Sequence, residues 1–248
     1  MKSIVFFSMT TSGTGSSWRI YTALTDKKYT SIRLIDEFRK GTLDLDNYVL
    51  DRENMIAMFN APQLKKDNIS FDDYKIIVNF RDPRDYLCNL YSWEFVHPRP
   101  NESDADRKSR MEKIQKDGID NYVLKKAGTK YYNYIFDVIE KHNEVLINTY
   151  ARLCLDFDSF IDRASDFVNI PITDDFLEKV KIERPENLSE NQRWIGNKWQ
   201  GSDVMPGRYK RELKPETIEI LNNKLEDVLR KMAKYDPDFS HLYLEGIA

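Results

Sequence analysis

The sequence predicts an α/β protein whose parallel sheet is flanked by helices on both faces. Apolar runs of strand length alternate along the chain with segments of helical periodicity, which is typical of parallel sheets. The run Ser3–Thr10 leads through a small polar turn into a helix-like segment. The run Lys75–Phe80 is short, apolar and β-branched, as in a strand buried on both faces.

A turn rich in glycine and hydroxyl groups follows the first run. Thr11–Trp18 reads TSGTGSSW, and the helix-like segment Arg19–Leu24 comes next. Gly13 and Gly15 allow a tight bend, and a helix N-terminus favours a bound anion. Further donors are the hydroxyl groups of Thr14, Ser16 and Ser17. The pattern predicts a phosphate-binding loop, although a merely structural bend is the alternative, and without a Lys it is no Walker A loop.

The second run leads into a motif with two arginines, Arg81-Asp82-Pro83-Arg84-Asp85. Asp82 as N-cap and Pro83 as first helical residue predict a helix start. Arginines after a parallel strand lie where open α/β sheets bind ligands, and Arg can hold phosphate through two parallel hydrogen bonds. The alternative is a surface ion-pair network with the neighbouring aspartates, which we favour for Arg84.

The remaining pattern predicts three further strands, four further helical segments and two long loops. The strands are Tyr29–Ile35, Asn54–Phe59 and Val145–Tyr150. The helical segments are Gly118–His142, Asp158–Val168, Asp174–Val180 and the amphipathic Pro215–Tyr235. The polar segments Pro98–Arg110 and Glu183–Met205 are expected to be loops.

Two segments resemble motifs of the sulfotransferase family that uses 3'-phosphoadenosine 5'-phosphosulfate (PAPS). Thr10–Trp18 falls on that family's TYPKSGTTW motif, and Arg81–Asp85 falls on its RNPxD motif. Val145–Leu153 and Pro206–Leu213 resemble weaker later motifs, in the right order. The resemblance implies a P-loop-like parallel sheet. It also implies transfer of a sulfuryl group from PAPS to a hydroxyl of a small molecule or carbohydrate, without a metal.

The resemblance further implies roles for single residues. The loop would hold the 5'-phosphosulfate, Arg81 and Asn89 the 3'-phosphate, and Tyr150 would lie beside the adenine. The implied cofactor contacts are Ser12, Gly13, Thr14, Gly15, Ser16, Ser17, Trp18, Arg81, Asn89, Tyr150 and Arg208. For Trp18 and Tyr150, packing in the core is the alternative interpretation.

The sequence departs from the family pattern where catalysis would need charge and a base. The motif's Lys corresponds to Gly13, and the usual His corresponds to Asn60, which cannot accept a proton at neutral pH. The basic segment before the last motif reads Ser202-Asp203-Val204. Candidate replacement cations are Arg19, Lys65, Arg208 and Lys210, of which the resemblance favours Arg208. Candidate bases are Glu53, the first choice, Asp51 and His97. Two alternatives therefore stay open, a nucleotide-binding protein of this fold without turnover and a P-loop-like ATP-dependent kinase.

The composition of the chain limits its domain number, its partners and its location. The length of 248 residues predicts a single domain over 1–248. Charged residues make up 32% of the chain and the net charge is −3, so there is no excess of basic residues for nucleic-acid binding. No stretch approaches the ~20 apolar residues of a membrane span, and the N-terminal apolar core is too short for a signal peptide, so we expect a cytoplasmic protein. Cys88 and Cys154 are expected to be buried thiols, and the histidines are too scattered for a metal cluster.

Overall fold

A computed structural model of the chain describes residues 1–33, 53–60, 73–99, 102–187 and 204–247. The chain divides into two compact units. The first comprises Met1–Phe80 and Lys130–Asn191, and the second comprises Arg81–Thr129 and Gln192–Ala248. One domain over residues 1–248 stays a prediction.

Helices account for most of the described residues. They are α1 (Thr14–Thr25), α2 (Pro83–Val96), α3 (Asp104–Lys126), α4 (Lys130–Lys141), α5 (Tyr150–Leu155), α6 (Phe157–Val168), α7 (Asp174–Val180), α8 (Tyr209–Glu212), α9 (Pro215–Tyr235) and α10 (Ser240–Tyr243). Short 3₁₀ turns lie at Lys181–Glu183, Pro185–Asn187 and Pro237–Phe239. In the described part of the chain, no helix combines the length and apolar character needed to cross a membrane.

A parallel sheet forms the centre of the first unit. Its strands are β1 (Ile4–Ser8), β2 (Thr30–Arg33), β3 (Met55–Asn60), β4 (Lys75–Asn79) and β5 (Val145–Ile147), in the order β2-β3-β1-β4-β5. Every neighbouring pair is parallel. The chain adds β2 and β3 on one side of β1, and β4 and β5 on the other. Such a reversal of strand order creates a crevice at the carboxyl ends of the central strands, where open α/β sheets bind ligands.

Helices cover both faces of this sheet. Phe6 and Phe7 point to opposite faces because successive side chains alternate along a strand. Phe6 lies against Trp18 and Tyr21 of α1, with ring centroids 6.5 and 5.0 Å away. Phe7 lies against Tyr134 of α4, with ring centroids 6.4 Å apart. The predicted α/β class is therefore confirmed.

Several predicted boundaries need correction, and each has a local cause. The strand predicted over Val145–Tyr150 ends at Ile147, because Thr149 accepts a hydrogen bond from the Arg152 N–H and so caps α5. The predicted loop Pro98–Arg110 contains the start of α3, where Ser103 caps the Asp106 N–H. The single helical segment predicted over Gly118–His142 is divided between α3 and α4.

The second unit is helical, and a buried arginine anchors its C-terminal segment. Arg84 is fully buried, with its guanidinium on both carboxylate oxygens of Asp82 at 3.0 and 2.7 Å. It also donates to the side chain of Asn222. Further acceptors are the carbonyl oxygens of Leu242, Tyr243 and Glu245. The predicted ion pair of Arg84 with Asp82 is present, but its predicted surface location was wrong, since both side chains are buried.

Candidate functional site

The turn after β1 is a closed loop held by its own hydrogen bonds. The Thr14 hydroxyl donates to the Met9 carbonyl at 2.5 Å and lies 2.7 Å from Ser8 Oγ. The Ser17 N–H donates to the Gly13 carbonyl at 2.9 Å. Because the Thr14 hydroxyl proton is used within the loop, the group that Thr14 offers to an anion is its backbone N–H.

The loop takes a left-handed backbone at two positions. Gly13 has φ 69° and ψ 18°, and Thr11 has φ 65°. A β-branched residue at positive φ is strained, and such strain tends to occur at functional sites. Gly15 has no positive φ and lies in the first turn of α1, so the bend is made at Gly13.

Position 13 also has no room for a side chain. A Cβ on Gly13 would lie 2.7 Å from Leu153 Cδ2 and 2.9 Å from Tyr150 Cδ2. Such separations are shorter than carbon–carbon contact, so one of the neighbours would have to move. The Lys that the resembling motif carries here is missing from the sequence, and at this position it would force Leu153 or Tyr150 to move.

Asn79, the last residue of β4, holds the loop through buried hydrogen bonds. Its Nδ2 donates to the Ser12 carbonyl at 2.8 Å and to Ser17 Oγ at 3.2 Å, and all three residues are fully buried. Ser12 Oγ and Asn79 Oδ1 have no hydrogen-bond partner among the described residues. Since buried polar atoms are normally paired, the Ser12 hydroxyl fits a donor for a phosphate oxygen. Sequence reasoning missed Asn79, whose signal was a buried amide ending an apolar strand.

The two predicted aromatic contacts are packed in the first unit. Trp18 is buried and stacks on Phe6, with an interplanar angle of 7°. Tyr150 is buried, and its ring lies against Gly13 at the start of α5. These positions agree with the alternative interpretation, in which both rings pack in the core.

The structure does not bring Glu53, the first-choice base, to the loop. Glu53 is exposed and forms an isolated bridge with Lys2, at the amino edge of the sheet. At 3.3 Å per strand residue, that edge is about 20 Å from Ser8 at the carboxyl edge. Glu53 is therefore withdrawn as the first choice. Asp51 and the candidate cation Lys65 lie outside the described residues.

The candidate base His97 and Asn60, which takes the position of the family's usual His, belong to different units. His97 follows the last residue of α2 in the second unit and stacks on Trp93. The 14 residues of α2 separate it from Arg81 by about 20 Å along the helix. The backbone of Asn60 pairs in register with Ser8, at the carboxyl edge of the sheet beside the loop.

In the second unit, two predicted binding residues meet. The buried guanidinium of Arg208 donates to Asn89 Oδ1 at 3.0 Å and to Ser92 Oγ at 2.7 Å. Its Nε donates to Glu212 at 2.6 Å. Because Asn89 uses its oxygen for Arg208, the group that it can turn to a phosphate is its amide NH₂. The fourth candidate cation, Lys210, is paired instead with Glu245.

Asp85 fixes the turn that carries Arg208. Its carboxylate accepts the N–H groups of Gly207 at 2.8 Å and Tyr209 at 3.0 Å. Burial raises the pKa of Asp85 to about 6. The positive charge of Arg81, which is also buried, acts in the other direction and lowers this pKa. The acidic residue of the second motif thus holds the Arg208 turn through backbone hydrogen bonds.

Solved structures of other proteins share this fold. No protein-family model and no curated protein sequence matches the chain. Mouse sulfotransferase SULT7A1 complexed with PAP matches with a TM-score of 0.63 and 13% identity, over 98% of this chain and 88% of that one. Retinol dehydratase in complex with androsterone and inactive cofactor PAP matches with a TM-score of 0.58 and 14% identity, over 92% of this chain and 80% of that one. Retinol dehydratase in complex with retinol and PAP matches with a TM-score of 0.57 and 14% identity, over 92% of this chain and 81% of that one. The chain has a sulfotransferase-like fold.

Proposed function

We propose that this chain is a sulfotransferase that moves a sulfuryl group from PAPS to a hydroxyl of a small molecule or carbohydrate. The loop between β1 and α1 is the observation that carries the proposal. It combines a left-handed Gly13, the buried and unsatisfied hydroxyl of Ser12, and a helix N-terminus at the crevice of the sheet. The N–H groups of the helix N-terminus and the Ser12 hydroxyl can all donate hydrogen bonds to the oxygens of a phosphate.

The roles of the residues follow from their chemistry. PAPS, when bound, supplies the sulfuryl group. The N–H groups of the first turn of α1 and the Ser12 hydroxyl bind its 5' end and stabilise negative charge there. Asn79 holds these donors in place. Arg81 and Asn89 bind the 3'-phosphate, a role that rests on the sequence resemblance. Asp51 and His97 stay proposals for the base that takes the proton of the acceptor hydroxyl.

A second candidate function is nucleotide binding without turnover. The specific observation in its favour is that the conformation at Gly13 leaves no space for the motif's Lys. Turnover of labelled PAPS over a panel of hydroxyl acceptors separates the two functions. Sulfuryl transfer to any member supports the enzyme, whereas tight binding of the nucleotide without transfer supports the second candidate.

The donor assignment predicts a preference for 3',5'-adenosine bisphosphate (PAP) over AMP and ATP. A charge-assisted contact to phosphate contributes roughly 1.5–3 kcal/mol. Arg81→Ala should therefore weaken PAP binding by more than tenfold and leave AMP binding nearly unchanged, as measured by calorimetry. Arg230→Ala, at an exposed pair with Glu226, is the control and should change neither affinity. Equal losses for PAP and AMP in Arg81→Ala would contradict the assignment.

The role of Asn79 predicts a loss of binding that exceeds its effect on stability. Asn79→Ala removes two buried hydrogen bonds and should cost about 2 kcal/mol of unfolding free energy and at least tenfold in PAP affinity. The matched control is Asn148→Ala. Asn148 is equally buried, and its Nδ2 donates to the Phe160 carbonyl at 2.9 Å and to the Tyr21 hydroxyl at 3.2 Å. It should lose similar stability in a denaturant titration while keeping PAP affinity within about twofold. Equal affinity losses in both variants would remove the special role of Asn79.

A further inference from the structure

We infer that Arg19 supplies the positive charge at the loop and that Glu183 holds its guanidinium in position. The inference rests on the proposed function, since it names the cation that acts on the 5' end of the nucleotide. It differs from the resembling motif, which carries its charge on the loop residue that corresponds to Gly13.

The side chain of Arg19 folds back over the first turn of α1. Side chains four residues apart lie above one another on a helix and point toward its N-terminus. Arg19 Nη1 accordingly lies 3.2 Å from the position that a Cβ on Gly15 would take. Its Nη2 donates to Ser16 Oγ at 3.2 Å. The guanidinium therefore flanks the N–H groups that the helix presents to an anion, and the missing side chain of Gly15 gives it the space.

Glu183 holds this guanidinium with two parallel hydrogen bonds. Arg19 Nε and Nη2 donate to the two carboxylate oxygens of Glu183 at 2.5 and 2.7 Å. The Glu183 side chain is 2% exposed, whereas that of Arg19 is 28% exposed. A buried carboxylate needs a charged partner, so the pair fixes the plane of the guanidinium.

The same pairing leaves one end of the guanidinium available. Arg has five N–H donors, and the bonds to Glu183 and Ser16 use Nε and Nη2. Among the described residues, Nη1 of Arg19 donates to none. Nη1 is also the nitrogen beside Gly15. The geometry thus orients two donors of a fixed cation toward the phosphate loop.

Arg19 differs from the candidate cations Arg208 and Lys210 in the hydrogen bonds that each makes within its own unit. Arg208 and Lys210 belong to the second unit, where Arg208 is bonded to Asn89 and Glu212, and Lys210 to Glu245. Arg19 belongs to the same helix as the loop donors, so its distance from them is set by helix geometry. Glu183 is a positioning residue, because it acts through Arg19.

Adenosine 5'-monophosphate and adenosine 3'-monophosphate test the inference without turnover. Arg19→Ala should weaken binding of PAP and of the 5'-monophosphate by roughly tenfold to a hundredfold, because a charge-assisted bond is lost. Binding of the 3'-monophosphate should change less than twofold. Arg19→Lys keeps the charge and should recover part of the lost affinity.

Glu183→Gln keeps Arg19 charged but removes the charge-assisted clamp. It should weaken binding of the 5'-monophosphate and leave binding of the 3'-monophosphate unchanged. A merely structural role of Glu183 would not produce this difference. Arg184→Ala is the matched control. Arg184 is 25% exposed, follows Glu183 directly and is paired with Asp158. This variant should bind all three nucleotides like the unmutated protein.

The outcomes distinguish the inference from the function on which it rests. Unchanged affinity for the 5'-monophosphate in Arg19→Ala overturns the inference and leaves the sulfotransferase proposal standing. Equal losses for both monophosphates also overturn it, since they indicate a general defect. If the unmutated protein binds neither PAP nor the 5'-monophosphate, the proposed function fails and the inference fails with it.

Discussion

A lysine introduced at position 13 should disable the loop rather than restore the family motif. Gly13→Lys forces a side chain into the left-handed region, which costs about 1 kcal/mol or more. It also drives a Cβ to 2.7 Å from Leu153 and 2.9 Å from Tyr150, and overpacking costs about 1–3 kcal/mol. We expect about 2–4 kcal/mol less unfolding free energy in a urea titration, and no detectable PAP binding in calorimetry.

Two alanine variants separate backbone strain from steric overlap. Gly13→Ala has both defects without the long charged side chain. Gly207→Ala has a similar φ of 81°, but its Cβ would meet Lys210 Cε at an ordinary 3.6 Å. Gly13→Ala should therefore lose more stability than Gly207→Ala by about 1–3 kcal/mol. A Gly13→Lys protein as stable as the unmutated one, with tighter PAPS binding, would refute the steric explanation.

Removal of the Arg84 side chain should give the largest loss of stability in the second unit. Arg84→Ala leaves the buried carboxylate of Asp82 without its cation and three carbonyl oxygens of the C-terminal segment without a donor. Removing one partner of a buried ion pair costs about 3–5 kcal/mol. Denaturant unfolding should show a loss of that size.

Arg230 provides the exposed counterpart of this experiment. Its side chain is 48% exposed and pairs with Glu226 one turn earlier on α9. Surface pairs of this kind contribute about 0.2–1 kcal/mol, so Arg230→Ala should barely change the unfolding free energy. Arg84→Lys should stay close to Arg84→Ala, because an ammonium cannot reach the acceptors that the planar fork of Arg spans. A loss below about 1 kcal/mol in Arg84→Ala would mean that the C-terminal segment is held by other contacts.

The sheet was predictable because its signal is local. Within β1 and β4, the runs Ile4–Phe7 and Ile76–Val78 are continuously apolar, which is typical of strands buried on both faces. The boundary errors arose where a side chain caps a helix. Thr149 ends the β5 segment and Ser103 starts α3, and both effects depend on one hydrogen bond that periodicity does not register.

The candidate site was predictable in place but not in its contacts. The glycine and hydroxyl pattern marked the loop, and the apolar run before it fixed the edge of the sheet. The predicted base Glu53 lies at the opposite edge of the sheet from the loop, because it comes two residues before a strand. Local sequence patterns could not reveal that Asn79 contacts Ser17 or that Glu183 contacts Arg19, since the partners are 62 and 164 residues apart in the chain.

The sequence by itself determined the alternation of strands and helices, the glycine- and hydroxyl-rich composition of the loop after β1 and the absence of a lysine in that loop. These properties depend on neighbouring residues and on their periodicity along the chain. The tertiary structure alone decided that Leu153 and Tyr150 close position 13, and that Asn79 and Glu183 hold the loop and Arg19. Those contacts join residues far apart in the chain, so they exist only once the strands have paired and the helices have packed.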